Sequence, residues 1–200
     1  MTEQEIAILE IQNGLRQYDE GLELIRYYLE PERPFALRPH IIQHLQSIAV
    51  DGIEPNAGQF RDREVRIGKS KHQPPGQHLV PNLVTEMCEY VNENLHERTA
   101  FHLAAYVMWR HNWIHPFAGG NGRTSRAISY LVLNVRLGFA LPGTNTIAQQ
   151  IETNRQPYFD ALKSADLADR EGRLDISDME ELLSNMLGAQ LLSVHRQART

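Results

Sequence analysis

The feature that most constrains this chain is a pair of helical segments, apolar nearly all round, that flank one glycine-rich turn. From Thr99 to Ile114 the residues Phe101, Leu103, Ala104, Ala105, Val107 and Met108 leave almost no polar face. From about Asn121 to Leu137 the run through Ile128, Leu131, Val132 and Val135 behaves the same way and stops at Gly138. A helix that is apolar around its circumference must be enclosed by other elements. The rest of the chain therefore has to wrap amphipathic helices around this pair, which makes the fold class all-α, a bundle of about seven or eight helices.

The surrounding sequence supplies them. Thr2 with Glu5 has capping-box form and opens a helix to about Glu30, ended by Pro31 and Pro34. Leu15, Tyr18, Leu22, Ile25 and Leu29 recur along it at helical spacing, and Gly14 is expected to mark a break or a close approach. Pro39 to Val50 reads as a second helix through Ile41, Leu45 and Ile48. After Pro81, Val84, Met87, Cys88, Val91 and Leu95 form one apolar stripe, so Cys88 reads as a small buried hydrophobe rather than a nucleophile. One helix is expected over roughly Thr146–Ala168, and a last one over about 177–195, opened by Ser177 with Glu180 as its capping partner. Residues 53–80 differ in texture, rich in Gly, Pro, Asn and Gln. There the alternation Glu64-Val65-Arg66-Ile67 followed by Gly68 predicts a short strand of one small β-hairpin lying against the helical body.

Composition narrows the function. The 200 residues carry 20 Lys+Arg against 25 Asp+Glu, a formal net charge of −5, which handicaps any nucleic-acid binder that works by counterion release. Lys69, Ser70, Lys71 and His72 form only a small basic tip, read first as a solvated loop. One cysteine excludes an internal disulfide and a Cys-rich zinc cluster. His111 and His115 have zinc-pair spacing, but Pro116 ends that helix and no carboxylate is near in sequence, so metal hydrolysis is a minor reading. Trp109 and Trp113 read as core packing. No apolar run is long enough for a membrane helix and the first residues are acidic, so the expectation is a soluble, cytoplasmic protein, with a secreted effector as the alternative.

The turn itself, His115-Pro116-Phe117-Ala118-Gly119-Gly120-Asn121-Gly122-Arg123-Thr124-Ser125-Arg126, reads as an anion cradle. Its glycines let backbone N–H groups approach a ligand, and the following helix directs its unsatisfied N–H groups and positive dipole end to the same point. Arg123 and Arg126 share one face of the first turn and can fork onto phosphate oxygens. Two cations at a helix N-terminus cost up to about 1 kcal/mol each, so folding stability does not explain them whereas a polyphosphate does. His115, at the head of the loop, is suited to take a proton from a hydroxyl.

This segment resembles the signature of the Fic (Fic/Doc, Fido) family, His-x-Phe-x-Asp/Glu-Gly-Asn-Gly-Arg-x-x-Arg, and matches it at every specified position except one, where Gly119 replaces the acid. The stretch from Gly58-Gln59-Phe60-Arg61 to Pro74-Pro75 resembles the part carrying the family's hairpin flap, and Arg155 to Leu162 resembles its post-motif helix. The resemblance implies a single Fic-like domain over 1–200 with its core at about 10–165. It also implies a protein nucleotidylyltransferase that moves AMP from ATP onto a Ser, Thr or Tyr hydroxyl of a target protein. In that reading His115 is the base and Phe117 anchors the loop. Gly120 and Gly122 offer N–H groups, Asn121 orients the α-phosphate, and Arg123 and Arg126 hold the outer phosphates. Asn154 and Tyr158 would meet the base or ribose, and the flap residues Val65, Arg66, Ile67 and Gly68 would clamp the target segment by strand addition.

Gly119 removes the side chain by which the family binds Mg²⁺, although an ion could arrive on the nucleotide with few protein ligands; Glu152 and Asp160 are candidate surrogates. The alternatives are an attenuated nucleotide-binding protein, or transfer of another group such as UMP or phosphocholine. The family's self-inhibitory pattern Ser/Thr-x-x-x-Glu-Gly/Asn has no match among Glu20-Gly21, Glu93-Asn94 and Glu171-Gly172, which implies a separate inhibitory antitoxin chain or no brake at all.

Overall fold

The computed structural model describes residues 1–68, 70 and 72–199. Eight α-helices are present among them: α1 (Glu3–Tyr28), α2 (Pro39–Ala49), α3 (Val80–Glu93), α4 (Ala100–Ile114), α5 (Asn121–Leu137), α6 (Ile147–Thr153), α7 (Gln156–Arg170) and α8 (Ser177–Gln197). A single 3-10 turn, Gln77–Leu79, precedes α3. The two apolar helices are the centre, as their sequences require: α4 and α5 pack most extensively against each other. The others cover them, with α1 and α2 against α5, α3 and α8 against α4, and α7 against α8. Leu103, Ala104, Val107, Ile128, Leu131 and Val132 are fully buried.

Helix starts follow local chemistry. Thr2 and Glu5 form the capping box of α1, Thr99 caps α4 by accepting from the His102 amide, and α5 ends on Gly138 at φ 81°, a left-handed residue. Cys88 is buried, and burial pushes its thiol up to about 12, which suppresses thiolate formation.

Several sequence expectations change. Gly14 breaks nothing: α1 is continuous, and a side chain there would meet open space. The helix expected over Thr146–Ala168 is two, because Asn154 is extended and Pro157 sits in the first turn of α7, where a proline starts a helix well but cannot continue one. Glu180 does not cap α8. Its carboxylate accepts from His102 Nδ1 at 2.8 Å, while His102 Nε2 accepts from the Tyr90 hydroxyl at 2.8 Å, tying α8 to α3 and α4. The expected β-hairpin is absent: among the described residues there is no strand, and Val65, Arg66, Ile67 and Gly68 run as unpaired chain into a turn closed by Ser70 N–H on the Ile67 carbonyl at 2.8 Å. A return strand would begin near Pro74 and Pro75, which have no N–H to donate to a ladder. Lys69 and Lys71, the cations of the basic tip, lie outside the described residues.

Candidate active site

The turn between α4 and α5 is shaped by side chains that bind its main chain. His115 ends α4 in the left-handed region (φ 51°, ψ 59°), and it is the non-glycine residue with positive φ among those described. Such a conformation costs about 1–2 kcal/mol and has to be held by its surroundings. Arg61 holds it. Its Nε donates to the His115 carbonyl at 2.8 Å and its Nη2 to the carbonyls of Pro75 at 2.5 Å and Ile114 at 3.3 Å. The Arg61 amide donates to the Pro116 carbonyl at 2.9 Å. Burial lowers the Arg61 pKa, partly offset by Glu64, so this cation is sustained by carbonyl dipoles rather than by a carboxylate pair.

Two amides finish the loop. Gln46 of α2 donates to the Gly119 carbonyl at 3.0 Å and accepts from the Gly58 amide at 2.6 Å. Asn121, 3% exposed, accepts from the Phe117 amide at 3.0 Å and donates to the Phe117 carbonyl at 2.8 Å. Asn121 thus braces the loop with both ends of its side chain, and these two bonds use one of the two N–H groups on its Nδ2. Phe117 is fully buried against Phe60, with ring centroids 5.5 Å apart. Gly120 starts α5 at φ 77°, where a Cβ would lie 2.7 Å from Val50 Cγ1.

His115 presents a neutral imidazole to the cavity. Its Nδ1 lies 3.3 Å from the Asn112 carbonyl, and a carbonyl only accepts, so Nδ1 carries the proton and Nε2 keeps its lone pair. Burial pushes its pKa down to about 4, the Asn112 carbonyl opposing and Arg61 and His72 assisting. It is therefore neutral at pH 7. His111, one turn earlier, is completely buried against the Phe117 ring, and neither ring nitrogen has a hydrogen-bond partner among the described residues. Burial, aided by His115, lowers its pKa to about 3.

The loop floors a cavity of about 1810 Å³, walled by α1 on one side and by α6 and α7 on the other. Small-molecule sites typically measure ~300–1,000 Å³, so this one has room for a nucleotide and part of a second reactant. Arg123 and Arg126 both line it. Each meets a carboxylate from another element: Arg123 Nη2 lies 3.2 Å from Glu10 of α1, and Arg126 pairs with Glu152 of α6, which also pairs with Arg155. Burial raises the Glu152 carboxyl, but the two guanidinium groups outweigh it and hold it below the usual range. Arg123 Nη1 is buried without a partner.

The structure brings His115, Gly120, Asn121, Gly122, Arg123, Arg126 and Tyr158 to this cavity, together with Ile67 and Gly68 of the flap. Tyr158 is 3% exposed, and its hydroxyl accepts from Asn112 Nδ2 at 2.8 Å. Asn154, Val65 and Arg66 do not line the cavity. Asn154 is the C-terminal cap of α6, its Oδ1 accepting from the Gln156 amide at 3.3 Å. The flap is anchored by His72, whose Nε2 donates to the Trp113 carbonyl at 2.8 Å. Trp113 packs against the core and also lines the cavity, under the Arg110 guanidinium at 4.2 Å. Arg61 and Gln46 were invisible as functional residues in the sequence, because a polar residue far from the motif carries no sign of which carbonyl it will meet.

No cluster of three or more His, Cys, Asp or Glu that could hold a metal ion occurs among the described residues. Of the two surrogate ligands, Glu152 is engaged by arginines and Asp160 accepts from Gln156 at 2.9 Å. Mg²⁺ commonly takes only one or two carboxylates, with substrate phosphates and waters completing its shell; the carboxylates that line this cavity are Glu10, Glu152, Asp160 and Asp166. No helix among the described residues is long and apolar enough to cross a membrane.

Comparison with known proteins agrees with this geometry. The Fic/DOC family model matches residues 36–133. "Protein adenylyltransferase Fic" of Aedes aegypti is 33% identical over 123 residues, 60% of this chain and 22% of that protein. Its counterpart in Drosophila persimilis is 35% identical over 121 residues, with the same coverage. The chain thus spans about a fifth of the length of these curated relatives. Among solved structures, a Fic family protein from Desulfovibrio desulfuricans G20 superposes with a TM-score of 0.70 at 21% identity, covering 94% of this chain and 53% of that one. Fic-1 from C. elegans superposes at 0.72 and 18%, covering 95% and 53%. Motif and family match coincide within residues 36–133, and over these residues this chain matches the Fic/DOC family.

Proposed function

We propose that this chain is a protein nucleotidylyltransferase that transfers AMP from ATP to a hydroxyl of a target protein. The observation that carries the reading is Arg123: a guanidinium lining the cavity at the positive end of α5, with one buried N–H group lacking any partner. Such an orphan donor costs about 1–3 kcal/mol, and an anion at that helix end would remove the cost. The names of the relatives in Aedes aegypti and Drosophila persimilis point to the same activity.

The chemistry follows from the residues. The triphosphate takes the Arg123 and Arg126 guanidiniums from Glu10 and Glu152. These ion pairs are exposed enough, with the carboxylates at 49% and 42%, that each is worth only about 0–1 kcal/mol. Amides at the start of α5 and at Gly120 and Gly122 face the phosphates, and Asn121 keeps the loop in the shape that presents them. The target hydroxyl oxygen bonds to the α-phosphorus as the bond from that phosphorus to the β-phosphate oxygen breaks. Its proton passes to His115 Nε2, and pyrophosphate leaves with its charge against Arg123. Preorganised donors of this kind are the usual main source of stabilisation in phosphoryl-type transfer. Mg²⁺, when bound with the nucleotide, supplies charge neutralisation on the phosphates.

The test is incubation with ATP labelled at the α-phosphate and candidate acceptor proteins. A labelled acceptor with wild type and none with His115→Ala, while both bind ATP, supports the reading. Gly119 and the carboxylates on both arginines favour a second reading, an attenuated nucleotide binder, for which both proteins bind ATP and neither labels. Label from α-labelled UTP but not ATP would move the assignment to another nucleotide.

A further inference from the structure

The face that α7 turns to the cavity carries side chains that a nucleotide does not account for. Tyr158, Ala161, Ala165 and Ala168 bury the inner side of the helix. Phe159, Lys163, Leu167 and Arg170 follow one another at helical spacing on the outer side, and all four line the cavity. Phe159 is 51% exposed and Leu167 49%. Large apolar side chains left in water on one face of a concave wall are the composition of a binding surface.

The charges on this face are of two kinds. Its carboxylates are engaged: Asp160 accepts from Gln156 Nε2 at 2.9 Å, and Asp166 accepts from Trp109 Nε1 at 2.9 Å with His72 Nδ1 3.9 Å away. Its cations are not. Neither Lys163 nor Arg170 makes a hydrogen bond or ion pair with any described residue, and Arg170 acts on Asp166 through its field. Asp169 does not line the cavity. By contrast Arg123, Arg126 and Arg155, in the same cavity, all have carboxylate partners. The α7 stripe therefore offers positive charge not yet answered by a carboxylate, interleaved with apolar surface.

The stripe also leads away from His115. The Asn112 carbonyl faces His115 Nδ1, and the Asn112 side-chain amide donates to the Tyr158 hydroxyl at the start of α7, whereas Asp166 meets Trp109, further back along α4. Four helical residues rise about 6 Å, so Phe159, Lys163 and Leu167 stand about 6 Å apart along the wall. Side chains on one face of an extended chain repeat every ~6.6 Å. An extended segment can therefore set one side chain against each member of the stripe. We propose that this stripe selects the target protein: the segment bearing the acceptor hydroxyl lies extended along α7, with apolar and acidic side chains alternating at every second position on one side of the acceptor. This rests on the transfer reading above and gives its acceptor a chemical class.

The probes are fluorescein-labelled peptides with a central Ser, Thr or Tyr and the run Leu-x-Glu-x-Leu-x-Glu leading outward from it on one flank or the other. Each is paired with a peptide that has Lys in place of Glu, and binding is read by anisotropy in excess non-hydrolysable ATP analogue. Wild type is expected to bind a Glu peptide about tenfold more tightly than its Lys counterpart, the order set by two exposed ion pairs turned from attraction to repulsion. The gap should narrow as salt rises. Lys163→Glu combined with Arg170→Glu should erase or invert the preference while affinity for the analogue stays unchanged, a result that misfolding cannot produce. Phe159→Ser should weaken both kinds of peptide alike. Equal binding of the two kinds by wild type, no binding of either, or a preference that survives the charge reversal overturns the proposal. A wild-type dimer in light scattering that Phe159→Ser converts to monomer overturns it too, in favour of a second copy of this chain on the stripe. With ATP labelled at the α-phosphate, label on the bound Glu peptide supports the proposal. Selective binding with no label on any peptide or lysate protein overturns the transfer reading instead and leaves the selectivity of the stripe standing.

Discussion

Replacing Gly120 by alanine tests whether the cradle is as tightly specified as its geometry implies. Gly120 has φ 77°, and a Cβ there would sit 2.7 Å from Val50 Cγ1, a methyl of a side chain only 1% exposed. Two costs follow. An L-residue in the left-handed region costs about 1–2 kcal/mol, and forcing a methyl into a packed site costs about 1–3 kcal/mol more. Gly120→Ala should therefore destabilise by about 2–5 kcal/mol, read by urea denaturation. Val50→Ala alone removes two buried methyl groups, a loss of about 2 kcal/mol. In the double variant the freed space accepts the new methyl, so the steric part disappears and the conformational part remains. The double-mutant cycle should show a favourable coupling of about 1–3 kcal/mol, well beyond the ~0.5 kcal/mol scatter of independent sites. Additive losses would refute the contact. A Gly120→Ala protein as stable as wild type would refute the whole account of the turn.

Acid should weaken the fold through its two buried imidazoles. Both are depressed below the ordinary value, His115 to about 4 and His111 to about 3, so the unfolded chain binds their protons first and their contribution, complete above about pH 6.5, declines as pH falls toward 4 and then 3. Stability measured by urea denaturation across that window should fall for wild type and fall less steeply for His111→Leu, which should also be equal or higher in stability at pH 7 because it removes two orphaned nitrogens. Glu10→Gln and Glu152→Gln release the motif arginines, and each should tighten ATP binding by a few-fold in calorimetry, whereas unchanged affinity would show that the pairs do not compete with phosphate. Arg61→Lys keeps the charge but cannot reach the carbonyls of His115, Ile114 and Pro75 together; label transfer should drop by at least about tenfold with ATP affinity little changed.

The helices and the cradle were legible in the sequence for different reasons. The enclosed pair α4 and α5 followed from apolar residues on every face, and the cradle from glycines and arginines whose presence stability alone does not favour. The break between α6 and α7 was missed because Ile151, Tyr158 and Leu162 keep a continuous apolar pattern across Pro157, and pattern outweighed the proline. The hairpin was over-read from four alternating residues, since a strand needs a partner and Pro74 and Pro75 withhold one. Roles that depend on who meets whom were not legible. The bonds of Asn121 to the Phe117 amide and carbonyl are of this kind, because they exist only once the turn has folded.

Those bonds point to a division of labour within the loop. Every side chain that contacts the main chain from Ile114 to Gly119 does so from the protein side: Arg61 on His115 and Ile114, Gln46 on Gly119, and Asn121 on Phe117. These bonds consume carbonyls and one amide, and none of them draws on the amides that open α5. In the proposed transfer, a turn clamped in this way would leave little reorganisation to oppose charge developing on the phosphate. The same clamps explain how the loop tolerates glycine at position 119. Its shape does not depend on a side chain there, because Gln46 holds the carbonyl and Phe117 anchors the preceding residues.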